Sequence, residues 1–366
     1  MTTAIVEHVD AAVYRFPTPH PESDGTLEWD ATVAVTVTIA CDGLTGVGWT
    51  YSSPAAAVIV CEHFATLLRG RNVFDVGATT AALHRAARNL GTTGLVMQAI
   101  SAIDVALWDL KAKLLEVSVV ELLGSCRSRV PIYGSGGFTS ASDAELAQDV
   151  AAWKAAGCTA MKIKIGRGWG RDRDWDLRRV ALLRELAGGQ VDLMVDANGA
   201  YRTADAVRLG RELERLNVRW FEEPVSSDDT DGLALVRSSL QCEVAAGEYI
   251  DSVYDAERLV AAVDCLQVDA TRCGGYTGFL ALAAVAAAHN REVSAHCAPA
   301  LHAPVAAAIP HLRHVEWFND HVRLEPLLLT GLPPVDDGTV LIGRETPGHG
   351  MSVSGSADGY RVEVTV

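Results

Sequence analysis

VDLMVDANGAYRTADAVRLGRELERLNVRWFEEP, residues 191–224, decides the fold. Its first six residues are a mostly apolar run ending in Asp196. Residues 203–216 repeat apolar side chains at helical spacing, and 218–223 is a second apolar run ending in Glu222 and Glu223. Strand, helix and strand in about 30 residues is one unit of a parallel sheet. The unit recurs in both directions. Strands are predicted from Val130 and over 159–165, 191–196, 218–223, 243–248, 264–269, 292–296 and 312–317. Helices are predicted between them over 144–156, 174–187, 203–216, 231–240, 254–262, 277–289 and 301–309. Eight strands with intervening helices predict an α/β fold, a modified (β/α)8 TIM-type barrel of the form (β/α)7β. A doubly wound sheet is the rival, but no GxGxxG follows the first strand.

Polar residues close these strands in turn: Lys164, Asp196, Glu222, Glu248, Asp269, His296 and Glu316, roughly 20 to 32 residues apart. Barrel enzymes carry their chemistry at the C-terminal strand ends, so the row marks both the fold and the site.

Residues ahead of Val130 have a different texture. Segments 4–15 and 31–41 alternate like strands, and helical patterns cover 54–69, 79–90 and 94–116. Between the two strands FPTPHPESDGTLEW (16–29), with three prolines, reads as a loop. The expected organisation is an α+β domain over 1–125, the barrel over 126–324, and a C-terminal segment, 325–366, returning to the first domain.

The 366 residues carry a formal charge of −15, which argues against a nucleic acid or an anionic membrane as partner. The eight cysteines form no CxxC pair, as expected of reduced thiols in a cytoplasm. The N-terminus lacks a signal-peptide pattern, and no run of 18 apolar residues would span a bilayer.

Asp196, Glu222 and Glu248 on adjacent strand ends would repel one another unless a cation sits between them. Oxygen ligands alone suit a hard ion such as Mg²⁺. Asn198, two residues past Asp196, points the same way, whereas Glu223 should point away. Lys162 and Lys164 at i and i+2 both face the barrel interior, where one ammonium depresses the other and makes a base. Asp269 is placed to fix the tautomer of His296, leaving Nε2 as a second base. Glu316 is either a protonated hydrogen-bond donor or a structural partner of Arg313 or Arg323. Cys297, next to His296, should point outward. Tyr133, Ser135 and Arg272 are possible substrate or supporting groups, and Trp220 and Trp317 packing residues. His20, Ser23, Asp24, Tyr51 and Ser52 are candidates for contacts from the N-terminal domain. A metal-dependent hydrolase barrel would carry HxH near the first strand, and IYGSGG (132–137) has none.

These motifs together resemble the enolase superfamily and its mandelate racemase subgroup. The likeness spans KIK (162–164), VDAN (195–198), FEEP (221–224), GE (247–248), QVDATRCGG (267–275) and SAH (294–296). AISAIDVALWDLKAK (99–113) resembles the family's capping domain. The resemblance implies Mg²⁺ on Asp196, Glu222 and Glu248, with Lys164 as one base and Lys162 tuning it. It also implies His296, oriented by Asp269, as the opposite base, and Glu316 as a hydrogen-bonding group. The lactonizing and dipeptide-epimerase subgroups would carry lysine where this chain has Asp269. PGHGM (347–351) departs from the family's PGLG turn at His349. The implied activity is α-proton abstraction from a small carboxylate through an enediolate. The expected outcome is dehydration of a sugar acid, aldonate or aldarate, to a 2-keto-3-deoxy acid; racemisation or epimerisation of a 2-hydroxy acid is the alternative. A non-catalytic ligand-binding barrel is the remote one. A homo-oligomer is the expected assembly.

Overall fold

The computed structural model describes residues 4–364. Three antiparallel strands, β1 (His8–Ser23), β2 (Glu28–Cys41) and β3 (Leu44–Tyr51), build the N-terminal sheet. Arg361–Val362 from the far end of the chain joins it beside β1. The sheet packs on the buried helix Leu95–Leu114. Gly46 and Gly48 make that contact possible: a Cβ on either would collide with the carbonyl oxygen of Ala106 or Ala102. The helical pattern at 54–69 is one continuous helical run, Ala55–Leu68, with a π-type segment over Ile59–Phe64.

The segment expected as a loop, 16–29, is instead the end of a hairpin. β1 runs on to Ser23, and the register with β2 shifts between Pro17 and Glu22. That bulge absorbs prolines that have no N–H to give a ladder. Asp24 Oδ1 closes the turn by accepting from Leu27 N at 2.7 Å. The tip reaches over the barrel. Thr139 N donates to Ser23 O at 2.8 Å and Trp169 N to Gly25 O at 3.0 Å. Arg323 Nη1 donates to the buried Glu22 at 2.6 Å.

The barrel strands are β4 (Arg129–Gly136), β5 (Ala160–Lys164), β6 (Asp192–Asp196), β7 (Val218–Glu222), β8 (Glu243–Ala246), β9 (Cys265–Val268), β10 (Glu292–Ala295) and β11 (Leu312–Phe318). Each runs parallel to the next, and β11 pairs back onto β4, so the eight-stranded barrel is closed. Tyr133, Met194, Trp220, Ala245 and Cys265 fill its interior as an apolar layer. A helix, Asn319–Leu328, follows β11. Thr339–Leu341 then pairs antiparallel with β4. At the departing PGHGM turn, His349 Nε2 lies 2.7 Å from Val47 O, and His349 N donates to Asp109 Oδ1 at 2.9 Å; the side chain is buried in the domain contact. Among the described residues no helix is long and apolar enough to cross a membrane, and all eight cysteines are free.

Candidate active site

Alternation along β5 turns Lys162 and Lys164 inward, and both are buried. Lys162 Nζ lies 2.5 Å from Glu222 Oε1, 2.9 Å from Glu316 Oε1 and 3.9 Å from Asp196 Oδ2. Lys164 Nζ donates to Asp196 Oδ2. Burial disfavours the Lys164 ammonium and so does Lys162, as the sequence suggests, but Asp196, Glu248 and Glu316 together outweigh both and the pKa is raised. The expectation that one lysine depresses the other is therefore right in sign and too small in size: the carboxylates win.

Carboxylate oxygens of Asp196, Glu222 and Glu248 lie within 4.8 Å of one another, all buried. Glu223 joins them rather than pointing away. Its φ of 37° breaks the strand alternation, and its pKa stands well above the ordinary value, through burial first and then the charges of Glu248, Asp196 and Glu222. Burial and Asp196 likewise push Glu222 up to about 8. Four carboxyl groups thus face two ammonium groups and the guanidinium of Arg272, whose Nη1 lies 3.1 Å from Glu248 Oε1. Three oxygens in this region are buried without a hydrogen-bond donor: Glu223 Oε1, Glu248 Oε2 and Asn198 Oδ1. Surplus negative charge with orphaned oxygens is a donor set that fits a hard divalent cation.

The opposite strand ends are saturated. Asp269 Oδ1 accepts from Thr271 N and Thr271 Oγ1, each at 2.7 Å, and Oδ2 faces His296 Nδ1 at 2.8 Å. With both oxygens accepting, the imidazole proton belongs on Nδ1 and the Nε2 lone pair is free. Burial opposes the Asp269 charge, but the His296 hydrogen bond and Arg272 hold its pKa below the usual carboxylate range. Burial also disfavours the His296 cation; Glu248 and the bond to Asp269 outweigh it and raise the pKa. Glu248 Oε2 stands 3.4 Å from His296 Nε2 without hydrogen-bond geometry. His302 braces this arrangement. Ala270 N donates to its Nε2 at 2.8 Å, and its Nδ1 lies 2.9 Å from Cys297 O.

Cys297 does not point outward. Its φ of 51°, followed by 38° at Ala298, turns Sγ back to 3.2 Å from His296 Nε2 and 3.4 Å from Glu316 Oε2. Glu316 accepts in each of its hydrogen bonds: from Ser135 Oγ at 2.6 Å, from Cys297 N at 2.9 Å, and from Lys162. Burial would favour its neutral form, but Lys162 and His296 hold its pKa well below the ordinary value. It is an acceptor here, not the donor the sequence suggested. Arg313 and Arg323, its alternative partners, pair with other carboxylates.

Lys164, Asn198, Glu248, Asp269 and His296 line one cavity of about 370 Å³. The N-terminal domain supplies its other wall, including Asp24, Thr32, Tyr51 and Ser52. Ser52 Oγ donates to Gln98 Oε1 at 2.5 Å. Two expected substrate contacts are elsewhere. His20 lies on the outer side of the hairpin, its Nε2 2.7 Å from Glu145 Oε1 on the helix after β4, because the bulge resets which residues face inward. Tyr133 sits in the apolar layer, with Lys162 Nζ 5.2 Å from its ring centroid, so it supports the lysine rather than reaching the cavity. Asp320 and His321, just past β11, also line the cavity and were not foreseen. His321 stacks on Tyr51, ring centroids 3.7 Å apart, and its Nδ1 accepts from Ala298 N at 2.9 Å. Their sequence signal was the one used elsewhere, a polar pair at a strand end, in the segment FNDH (318–321).

Family models match both parts of the chain: "Mandelate racemase / muconate lactonizing enzyme, N-terminal domain" over residues 5–124 and "Enolase C-terminal domain-like" over 145–357. The chain is 36% identical over 287 residues to L-talarate/galactarate dehydratase of Salmonella typhimurium, covering 76% of this chain and 71% of that one. The structure of that enzyme with Mg and L-lyxarohydroxamate superposes with a TM-score of 0.91 at 30% identity, over 99% of this chain and 93% of that one. The 3,6-anhydro-α-L-galactonate cycloisomerase of Streptomyces coelicolor is 31% identical over 95% of this chain and 96% of its own. A mandelate racemase/muconate lactonizing enzyme-like protein from Rubrobacter xylanophilus reaches a TM-score of 0.94 at 38% identity, over 98% of this chain and 99% of that one. With the same two-part fold along nearly its whole length, this chain belongs to the mandelate racemase/muconate lactonizing enzyme family of the enolase superfamily and is one of that superfamily's lyases or isomerases.

Proposed function

We propose that this enzyme is a Mg²⁺-dependent sugar-acid dehydratase. It removes the α-proton of the substrate carboxylate, forms an enediolate and expels the β-hydroxyl as water. The resulting enol tautomerises to a 2-keto-3-deoxy acid. The observation that carries the reading is the convergence of Lys164 from β5 and His296 after β10 on one polar cavity. The relatives whose names are those of a sugar-acid dehydratase and a cycloisomerase, and the Mg in the structure of the former, support the same chemistry.

Asp196, Glu222 and Glu248 would hold the cation. Once bound, Mg²⁺ would supply positive charge that favours the enediolate over the ground-state carboxylate. Lys164 takes the α-proton as a neutral amine, a form that burial and Lys162 favour and Asp196 opposes. Lys162, fixed by Glu222 and Glu316, faces the developing negative charge. His296, its cation favoured by Glu248 and Asp269 against burial, acts as the imidazolium, with Nδ1–H anchored on Asp269, and delivers a proton from Nε2 to the leaving hydroxyl. Glu316 positions Lys162 and the turn that carries Cys297.

The wall facing the distal end of the substrate selects among sugar acids. Asp24, Thr32, Tyr51, Ser52, Asp320 and His321 offer hydroxyl-binding groups, and none of the described residues lining that wall is lysine or arginine. His321 is kept neutral: burial and nearby His296 lower its pKa to about 3, so it serves as a neutral donor. Asp320 is paired with Arg323, and Arg272 lines the same cavity, so the lining can receive an aldonate or an aldarate. Incubation of the Mg²⁺-loaded protein with a sugar-acid library, read by semicarbazide for keto product, should identify an aldonate or aldarate substrate. Exchange of the α-hydrogen in D₂O with no keto product would assign a racemase or epimerase instead, since the two bases serve that reaction equally.

A further inference from the structure

We propose that His296, Cys297 and Glu316 form a second metal site, selective for a thiophilic divalent cation such as Zn²⁺, and that its occupancy switches the enzyme off. The three ligand atoms form a compact triangle: Cys297 Sγ to His296 Nε2 3.2 Å, Sγ to Glu316 Oε2 3.4 Å, and Nε2 to Oε2 3.9 Å. Tetrahedral zinc with sulfur at about 2.3 Å and nitrogen or oxygen at about 2.0 Å requires ligand separations of roughly 3.3 to 3.6 Å. The observed spacings bracket that range, so only small side-chain shifts are needed. All three side chains are buried.

The supporting shell is already in place. Metal-bound histidines hand their other ring nitrogen to a carboxylate or carbonyl, and His296 Nδ1 is held by Asp269 at 2.8 Å. Oε1 of Glu316 is occupied by Ser135 Oγ at 2.6 Å and by Lys162, whereas Oε2 accepts only from Cys297, through N at 2.9 Å and Sγ at 3.4 Å, and keeps a lone pair for the triangle. The paired positive φ values at Cys297 and Ala298 turn the thiol inward, and the mechanism makes no use of that thiol. Binding forms a sulfur–metal bond as the thiol releases its proton to solvent. One thiolate and one carboxylate then balance the two positive charges of the ion. Both His296 and Cys297 line the cavity, so a fourth position opens toward it. Mg²⁺ prefers oxygen and leaves sulfur alone; Zn²⁺ and Co²⁺ do not. The two sites thus sort cations by softness, and an ion on His296 Nε2 removes the group that the proposed reaction needs.

The test uses the full chain with saturating Mg²⁺. Adding Co²⁺ should give the near-ultraviolet charge-transfer band of a cobalt thiolate, and Cys297→Ser should abolish it. Zn²⁺ should inhibit the wild type, and the inhibiting concentration should rise at least about tenfold in Cys297→Ser, the scale of losing a supporting metal contact. A band that persists in Cys297→Ser, or the absence of any band in the wild type, overturns the proposal. If the serine variant does not fold, X-ray absorption of zinc on the wild type asks the same question. One sulfur and one imidazole in the first shell supports the site, and a shell without sulfur refutes it. The spectroscopic readouts do not depend on the substrate, so a failed dehydratase assay leaves this test intact.

Discussion

The strand ends of β5 to β8 and those of β9 to β11 are built on opposite principles. The first group is unfinished. Its four carboxyl groups outnumber its ammonium groups, and three of its buried oxygens have no donor. In the second group the side chains at the strand ends pair with one another, although Gln267, two residues before Asp269, has neither side-chain atom hydrogen-bonded. Asp269 holds His296, His302 holds the backbone on both sides, and Glu316 holds Cys297 N. The difference teaches that one half waits for a cation, while the other half spends its hydrogen bonds on aiming a single imidazole nitrogen.

The largest effect expected from breaking this contrast is in the unfinished half. Asp196→Asn should lower kcat by about 10³-fold, the scale of losing a preorganised charge in a dry site, and calorimetry should show Mg²⁺ affinity falling with it. Asp269→Asn should give the complementary signature. Its kcat should fall about 10²-fold through a misdirected His296, with Mg²⁺ affinity retained. If both variants lose metal affinity alike, the two halves are not separable.

A smaller effect belongs to the lid over both halves. Arg323 is one-third exposed where it meets Glu22, so the screened pair contributes about 1 kcal/mol. Arg323→Met should raise KM about fivefold through that loss and leave kcat nearly unchanged, as steady-state kinetics would show. An equal fall in kcat would mean that the hairpin takes part in the chemistry rather than only in binding.

The smallest effect lies away from the site and reads pH. Asp104 in the long N-terminal helix is buried against Thr277, and its pKa is pushed up to about 7 by burial, against the hydrogen bonds from Thr277. A folded-state pKa raised above 3.8 means that the folded protein binds the proton more tightly. The stabilising contribution is full below about pH 4 and is lost as pH rises through about 7. The Tm of the wild type should therefore fall relative to that of Asp104→Asn across this window. A constant difference would show that Asp104 does not titrate there.

Much of the barrel was legible because strand ends recur, and a polar residue at each end is a strong signal against an apolar run. Asp196, Glu222, Glu248, Asp269, His296 and both lysines follow from that pattern. Alternation failed where the backbone adopts positive φ without glycine. Glu223 and Cys297 both point inward for that reason, and no residue type announced it. It failed again across the Pro17–Glu22 bulge, which moved His20 to the outer face. Tyr133 was misread by one layer: two residues below a strand end is the apolar plug, where Met194 and Trp220 also lie. The cap was the least legible part, because three prolines mimic a loop while long-range pairing makes a hairpin.

That hairpin has a consequence for biosynthesis. Glu22 and Arg323 are 301 residues apart, and Arg361–Val362 completes the edge of the first strand. At about 5 to 20 residues per second, the hairpin tip leaves the ribosome roughly 15 to 60 seconds before its partner is made. Until then Phe16, buried in the finished fold against Tyr360, lacks its cover. The chain order thus makes the hairpin that walls the cavity first and its anchor last.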